Sequence, residues 1–307
     1  MFRLIPIVEQ NRSELVWMSL SSNPSPGAIK LLEENPEHIN WFAFLYNPSP
    51  DIVPILEQNE DMIDWWCLSS NPGAIRLLAA NLSKVSWMHL SANPAAIHIL
   101  EANFGKIGWE ELSGNPAGIH ILAANPDKIS WEELSGNPEA IHLLAANPEK
   151  ISWDELSANP KAIDILAQNL DKVNWGILSA NPGAIRILAE NLDNINWSQL
   201  SRNPNAIHIL EQNISRIDWW LLSANPKAMH LLVANIDRVH WDILSENPAI
   251  FAYDYTRMKE GMYKSGLAAQ IVQNRLHPTK LDTFKDYGFE DFLGEDFMEP
   301  ALKKVKR

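Results

Sequence analysis

Apolar and polar positions repeat as a block along residues 11–248. In the stretch 137–158, NPEAIHLLAANPEKISWDELSA, apolar side chains fall at Ala140, Ile141, Leu143 and Leu144, then at Ile151, Trp153 and Leu156. Steps of three and four place each set on one side of a helix, so the block predicts two short helices. Eleven tryptophans mark the period: Trp17, Trp41, Trp65, Trp87, Trp109, Trp131, Trp153, Trp175, Trp197, Trp219 and Trp241, at intervals of 24, 24 and then eight of 22. An Asn-Pro pair begins six residues after each, from Asn23-Pro24 to Asn247-Pro248. A second Asn stands six before each, from Asn11 to Asn235. Trp66 and Trp220 alone lie outside the column.

Capping residues mark the helix ends. Asn137 suits an N-cap and Pro138 the first helical position, where no N–H is needed. Asn147 ends that helix, asparagine tolerating such exits. In the second helix Ser130 precedes Trp131 with Glu133 three on, and Ser152 and Glu155 repeat the spacing, which predicts reciprocal capping. Asn40, Asp64, Ser86, Asn174, Asn196 and Asp218 occupy the same position. A leucine-rich repeat fits the period but requires an alternating strand pattern that is missing here.

Helices of seven to ten residues do not stand alone in water, so the block predicts an all-α fold, an α-solenoid of about eleven αα-hairpins. Each Trp would bury on the order of 150–250 Å², roughly 4–6 kcal/mol before ordering costs, and the column would form a spine. Eleven units spaced about 8–10 Å apart predict a rod or arc on the order of 100 Å along its contour. The asparagines are expected to stitch each corner to the next repeat.

The ends depart from the pattern. Asn23-Pro24-Ser25-Pro26 and Asn47-Pro48-Ser49-Pro50 lengthen the first two corners and pass the cap to Ser-Pro. Pro6 and Pro54 predict shortened or kinked helices. The organisation expected is a solenoid over 1–248 with a leading cap at 1–10, then a helical cap and charged tail over 249–307 that covers the last open helix face. Within that tail, 254–276 reads as one or two longer helices and His277-Pro278 opens a short helix to Tyr287. Phe289, Phe292 and Phe297 follow among acidic residues, before the basic end Lys303-Lys304-Val305-Lys306-Arg307.

Composition narrows the function. The 25 Lys and Arg against 38 Asp and Glu leave a formal charge of −13, a field that repels phosphate and argues against nucleic-acid or anionic-membrane binding. A lone cysteine, Cys67, excludes an intramolecular disulfide and reads as packed rather than reactive. No apolar run approaches the roughly 18 residues of a membrane span, and Glu9 comes too soon for a signal peptide. The sequons at Asn11, Asn81 and Asn213 fall on repeat asparagines and read as accidental. The tail Lys303–Arg307 matches a minimal nuclear-import pattern.

Two columns could carry chemistry. Eleven residues after each Trp stand Arg76, His98, His120, His142, Asp164, Arg186, His208 and His230, a candidate partner-binding stripe or simply the solvated face of the first helix. Neighbours one repeat apart are too distant for the convergence a metal needs. Glu110, Glu111, Glu132, Glu133, Asp154 and Glu155 form an acidic patch over three units. Its repetition favours capping and solvation near helix N-termini over acid–base catalysis, while still offering attraction to a basic partner. No phosphate loop, dinucleotide fingerprint, zinc spacing or nucleophile elbow occurs, so no catalytic residue, cofactor or metal is expected.

The unit Asn-Pro-x-Ala-Ile-x-Leu-Leu-x-x-Asn-x-x-x-Ile-x-Trp-x-x-Leu-Ser-x resembles the short Asn-Pro/Trp repeats of proteins from giant double-stranded DNA viruses. The likeness covers residues 11–248, Phe44 and Leu45 displacing Leu-Ser in the second unit, and His277-Pro278 and Tyr287-Gly288-Phe289 resemble the end segment of such proteins. The resemblance implies a viral origin and a non-catalytic role. The expected function is therefore a scaffold for protein–protein interaction, as a virion or minor capsid-associated component. A cytoplasmic adaptor for host proteins is the alternative, and a metal-dependent enzyme using the histidine column is a more distant one. The expected location is the virion or host cytoplasm, or the nucleus through the basic tail.

Overall fold

A computed structural model describes residues 2–264, so the expected helices beyond Lys264, the aromatic-acidic stretch and the basic tail lie outside the described residues. Two bodies are distinguished, Leu4–Phe251 and a second comprising the two chain ends. Phe2–Leu4 and Phe251–Tyr253 pair as a two-stranded sheet. Phe2 packs on Tyr253 at 4.7 Å, and Tyr255–Lys264 is helical.

Residues Leu4–Phe251 form an all-α repeat fold, each repeat contributing an Ile helix, such as Ile141–Ala146, and a Trp helix, such as Trp153–Ala158. The α-helices are short, four to eight residues, because 3₁₀ turns and extended residues fill the corners. Asn137 does begin the first helix, but as a turn: its Oδ1 accepts from the Glu139 N–H at 3.0 Å and the α-helix proper starts at Ile141. Pro6 and Pro54 sit in the first turn of Pro6–Gln10 and Val53–Gln58, where no N–H is required, so neither kinks its helix. Pro6–Gln10, at five residues, is short as expected, and Ser25 caps the eight-residue Pro26–Glu33 as its position predicts.

The expected serine–glutamate capping is not formed. Ser130 and Ser152 make no side-chain cap bond. Their N–H groups, which the glutamates would have to accept, donate instead to Ser113 Oγ and Ser135 Oγ of the preceding repeat, while the side chains of Asn40, Asn174, Asn196 and Asp218 do cap their helices.

What stitches one repeat to the next is a buried polar ladder. Asn137 Nδ2 donates to the Ser113 carbonyl at 2.9 Å and the Asn115 carbonyl at 3.1 Å, both in the preceding repeat. Ser135 Oγ donates to the Trp131 carbonyl and accepts from the Ser152 N–H of the next repeat. The second asparagine column acts within its own helix instead, Asn147 Nδ2 donating to the Leu143 carbonyl at 2.9 Å. Among the described residues no buried side-chain nitrogen or oxygen lacks a partner, which is what makes so polar a seam tolerable.

The ladder has no loose end. Asn23 Nδ2 donates to the Ser245 and Asn247 carbonyls at 2.9 and 3.0 Å, and the Val16 N–H donates to Ser245 Oγ. The first repeat therefore stands on the eleventh as every other repeat stands on its predecessor, and Trp17–Ser22 packs against Trp241–Glu246. A joint that returns to its start after eleven applications is a closed ring turning about 33° per repeat. The predicted open rod or arc is thus corrected. The last helix face is covered by the first repeat, and residues 1–10 are no cap: Pro6–Gln10 supplies the helix that follows the Asn247-Pro248 turn, locked by an Ile5 N–H to Ile250 carbonyl bond of 2.8 Å. One joint is incomplete, because Leu45 replaces the serine and the Asp64 N–H meets no hydroxyl there.

Apolar burial runs along other residues than the predicted spine. Leu20, Leu68, Leu112, Leu156, Leu200 and Leu244, three residues after each second Trp, are at most 2% exposed. The eleven column tryptophans are only half-buried. On seven of them a side chain of the next repeat lies over the indole: Lys84, Lys106, Lys150 and Lys172 lie over Trp65, Trp87, Trp131 and Trp153 at 4.3–4.7 Å. Arg216 and Arg238 cover Trp197 and Trp219, and His38 stacks on Trp17.

Candidate functional site: the lining of the ring

In a two-layered ring with equal numbers of helices in each layer, the layer packed side by side is the inner one, its circumference being shorter. The Trp helices pack closely on one another round the ring except on either side of the four-residue Trp65–Leu68, whereas each Ile helix touches mainly its own repeat. The Trp helices therefore line the ring. At about 8–10 Å between neighbours, eleven axes lie on a circle about 28–35 Å across. With about 10–12 Å taken up by the helices and their side chains, the lumen is about 17–24 Å wide.

Each Trp helix turns one face inward: the residues one, two and five places after Trp, opposite the buried leucine. Side chains on this face meet from helix to helix. Cys67 of the next repeat, ahead of burial, pushes the Tyr46 phenol above its ordinary range. Gly114 and Gly136 leave room for the carboxylates of Glu133 and Glu155.

The lining is divided by chemistry. On the first four repeats stand Met18, Phe42, Trp66 and Met88, exposed by 59%, 68%, 54% and 48%, with Tyr46 beside Phe42. The next three repeats carry the acidic patch, and Met18 lies across the lumen from Glu132 and Asp154. Glu110, Glu132, Glu133 and Asp154 are exposed, and Glu111 and Glu155 half-buried. Burial first, and then the charges of Glu155, Glu110, Glu132 and Glu111, push the Glu133 carboxyl above its usual range. Among the described residues none of the six acids pairs with a cation. Beyond them the wall recedes at Gly176, Ile177 and Ala180, opening a cavity of 520 Å³ that Gln199 also borders. Arg202 and Trp220 continue the round.

The histidine column lies on the Ile helices, in the outer layer, and is exposed throughout. His120 Nε2 meets Glu101 Oε1 at 2.9 Å and His230 Nε2 meets Glu211 Oε1 at 2.8 Å, nineteen residues back in the preceding repeat. His98, His142 and His208 face alanines at that offset, Ala79, Ala123 and Ala189. Arg186 pairs with Glu190 in its own helix, and Arg76 borders a cavity of 460 Å³ among Pro48, Pro50, Pro54 and Pro72. Asp164 stands exposed in the same row. The column is thus a row of single residues, and among the described residues no group of three or more His, Cys, Asp or Glu converges to hold a metal. Cys67 is buried against Tyr46.

Two features escaped the sequence reading. The bulky column one place after Trp is legible in retrospect, as Met18, Phe42, Trp66 and Met88 interrupt the polar face of four consecutive helices that already have their buried leucine or phenylalanine. Cations also recur three places before Trp, and Lys84, Lys106, Lys150, Lys172, Arg216 and Arg238 have the indole of the preceding repeat as their target. Comparison with protein-family models, curated protein sequences and solved structures finds no match to the chain.

Proposed function

We propose that this chain is a non-enzymatic protein-binding scaffold, a rigid ring whose surface, rather than any cleft, does its work. The observation that supports this best is the run of exposed apolar side chains Met18, Phe42, Trp66 and Met88 on adjacent inner helices. Bulky aromatic and methionine side chains left in water in succession are the mark of a surface awaiting a partner. The titratable residues support the same reading, since the histidines are spread one per unit and the acids repeat as like pairs, instead of gathering an acid, a base and a nucleophile. No helix among the described residues is long and apolar enough to cross a membrane. The virion component draws its support from the repeat resemblance, and the adaptor in the host cytoplasm or nucleus is the same binding role in another place.

Affinity purification from the native source tests the proposal, with the intact chain and a Phe42→Ser, Trp66→Ser variant side by side. A protein recovered in stoichiometric amount, and depleted with the variant, is the expected result. Recovery of no stoichiometric partner through any surface would contradict it.

A further inference from the structure

Resting on the protein-binding role proposed above, the geometry points to the lumen as the docking site, and to a cationic amphipathic helix of another protein as its occupant. Width is the first argument. A helix with its side chains is about 10–12 Å across, so an opening about 17–24 Å wide admits one and leaves room for the lining residues to reach it.

Chemistry is the second. The apolar arc from Met18 to Met88 offers two flexible methionines flanking two aromatic rings, a combination suited to an irregular apolar helix face. The acidic arc begins at the next repeat. Its six carboxylates lack cationic partners among the described residues, and a lysine or arginine face would supply them. The two arcs are centred roughly 115° apart round the ring, taking about 33° per repeat, so one helix can present leucines to the first and lysines to the second at once. The cations on the lining, Arg202 and the half-buried His89, lie outside the acidic arc, and His89 is held by Ser86 Oγ at 3.0 Å and by the Trp66 ring. Duplex nucleic acid, of suitable girth, is repelled by the same carboxylates.

The test uses the full chain and a labelled synthetic helix of leucines and lysines with its apolar and cationic faces about 115° apart, read by fluorescence anisotropy. Saturable one-to-one binding that weakens as salt rises is expected. A Phe42→Ser, Trp66→Ser variant and a Glu132→Gln, Glu133→Gln, Asp154→Asn variant should each weaken it by about tenfold or more. These side chains are exposed, and a cooperative melting transition no lower than that of the unaltered chain confirms that each variant folds. Equal binding of a sequence-scrambled peptide, equal binding of a version with glutamates for lysines, or indifference to both variants would overturn the inference. A native partner held through the outer helices, with both lumen variants unaffected, would overturn it while leaving the scaffold role standing. Absence of any stoichiometric partner would remove both.

Discussion

Replacing the Asn-Pro asparagine at two positions separates a closed ring from an open solenoid. Asn137→Ala deletes two donors, to Ser113 and Asn115, and the acceptor for Glu139, at 2.9, 3.1 and 3.0 Å. At about 1 kcal/mol net for each bond, with the buried carbonyls then stranded, the loss is about 3–5 kcal/mol. Asn137→Asp should cost more at neutral pH, because a carboxylate would face the same two carbonyl oxygens. Asn23 makes the corresponding bonds to Ser245 and Asn247 only because the ring closes. Urea unfolding followed by circular dichroism should therefore give Asn23→Ala a loss within about 1 kcal/mol of that of Asn137→Ala. In an open solenoid Asn23 would sit on a solvated end face, keeping only the bond it accepts from the Ser25 N–H, and its replacement would cost about 1 kcal/mol. That outcome would refute the closure.

Other consequences are open to measurement. Leu156→Ala, at a fully buried position, should cost about 3 kcal/mol and exceed the half-buried Trp153→Ala at about 2 kcal/mol, while Lys172→Ala, which uncovers Trp153, should cost about 0.5 kcal/mol in the same unfolding assay. The amide of Asp64, which faces Leu45 in place of a serine, should exchange with deuterium faster than those of Ser86, Gly108 and Ser130, which donate to Ser69, Ser91 and Ser113. The pH dependence follows from Glu133, whose carboxyl is pushed up in the fold, above all by burial. The folded state binds its proton more readily than the unfolded state, so ionisation weakens the fold as pH rises through the raised range. Glu133→Gln should raise the melting temperature at pH 7, by a small amount given its exposure, and the gain should vanish once pH falls below the ordinary carboxylate range.

The period, the helix pair and the stitching asparagines are legible in the chain because each follows from local chemistry: spacings of three and four, a proline that needs no N–H, an amide with two donors. Closure is not local. It depends on the small rotation at each joint, and a change of a few degrees summed over eleven joints would turn the ring into an open spiral. No residue encodes that angle by its type. The Trp column misled for a related reason. Conspicuous size and strict spacing suggested full burial, yet the deep positions belong to Leu156 and its equivalents, and the indoles serve as platforms for cations nineteen residues further on. The acidic patch was readable as a patch. That it shares a lumen with Phe42 and Trp66, more than sixty residues from Glu132, required the ring.

Spin labels at positions 18 and 242, the inward sites of the first and eleventh Trp helices, test the closure most directly, in a chain whose native cysteine has been replaced by Cys67→Ala. Positions 132 and 154, on adjacent helices inside the chain, serve as the reference pair. The closed ring predicts dipolar broadening for 18 and 242 comparable to that for 132 and 154. Broadening for the internal pair with none between 18 and 242 would show an open chain of repeats and contradict the account.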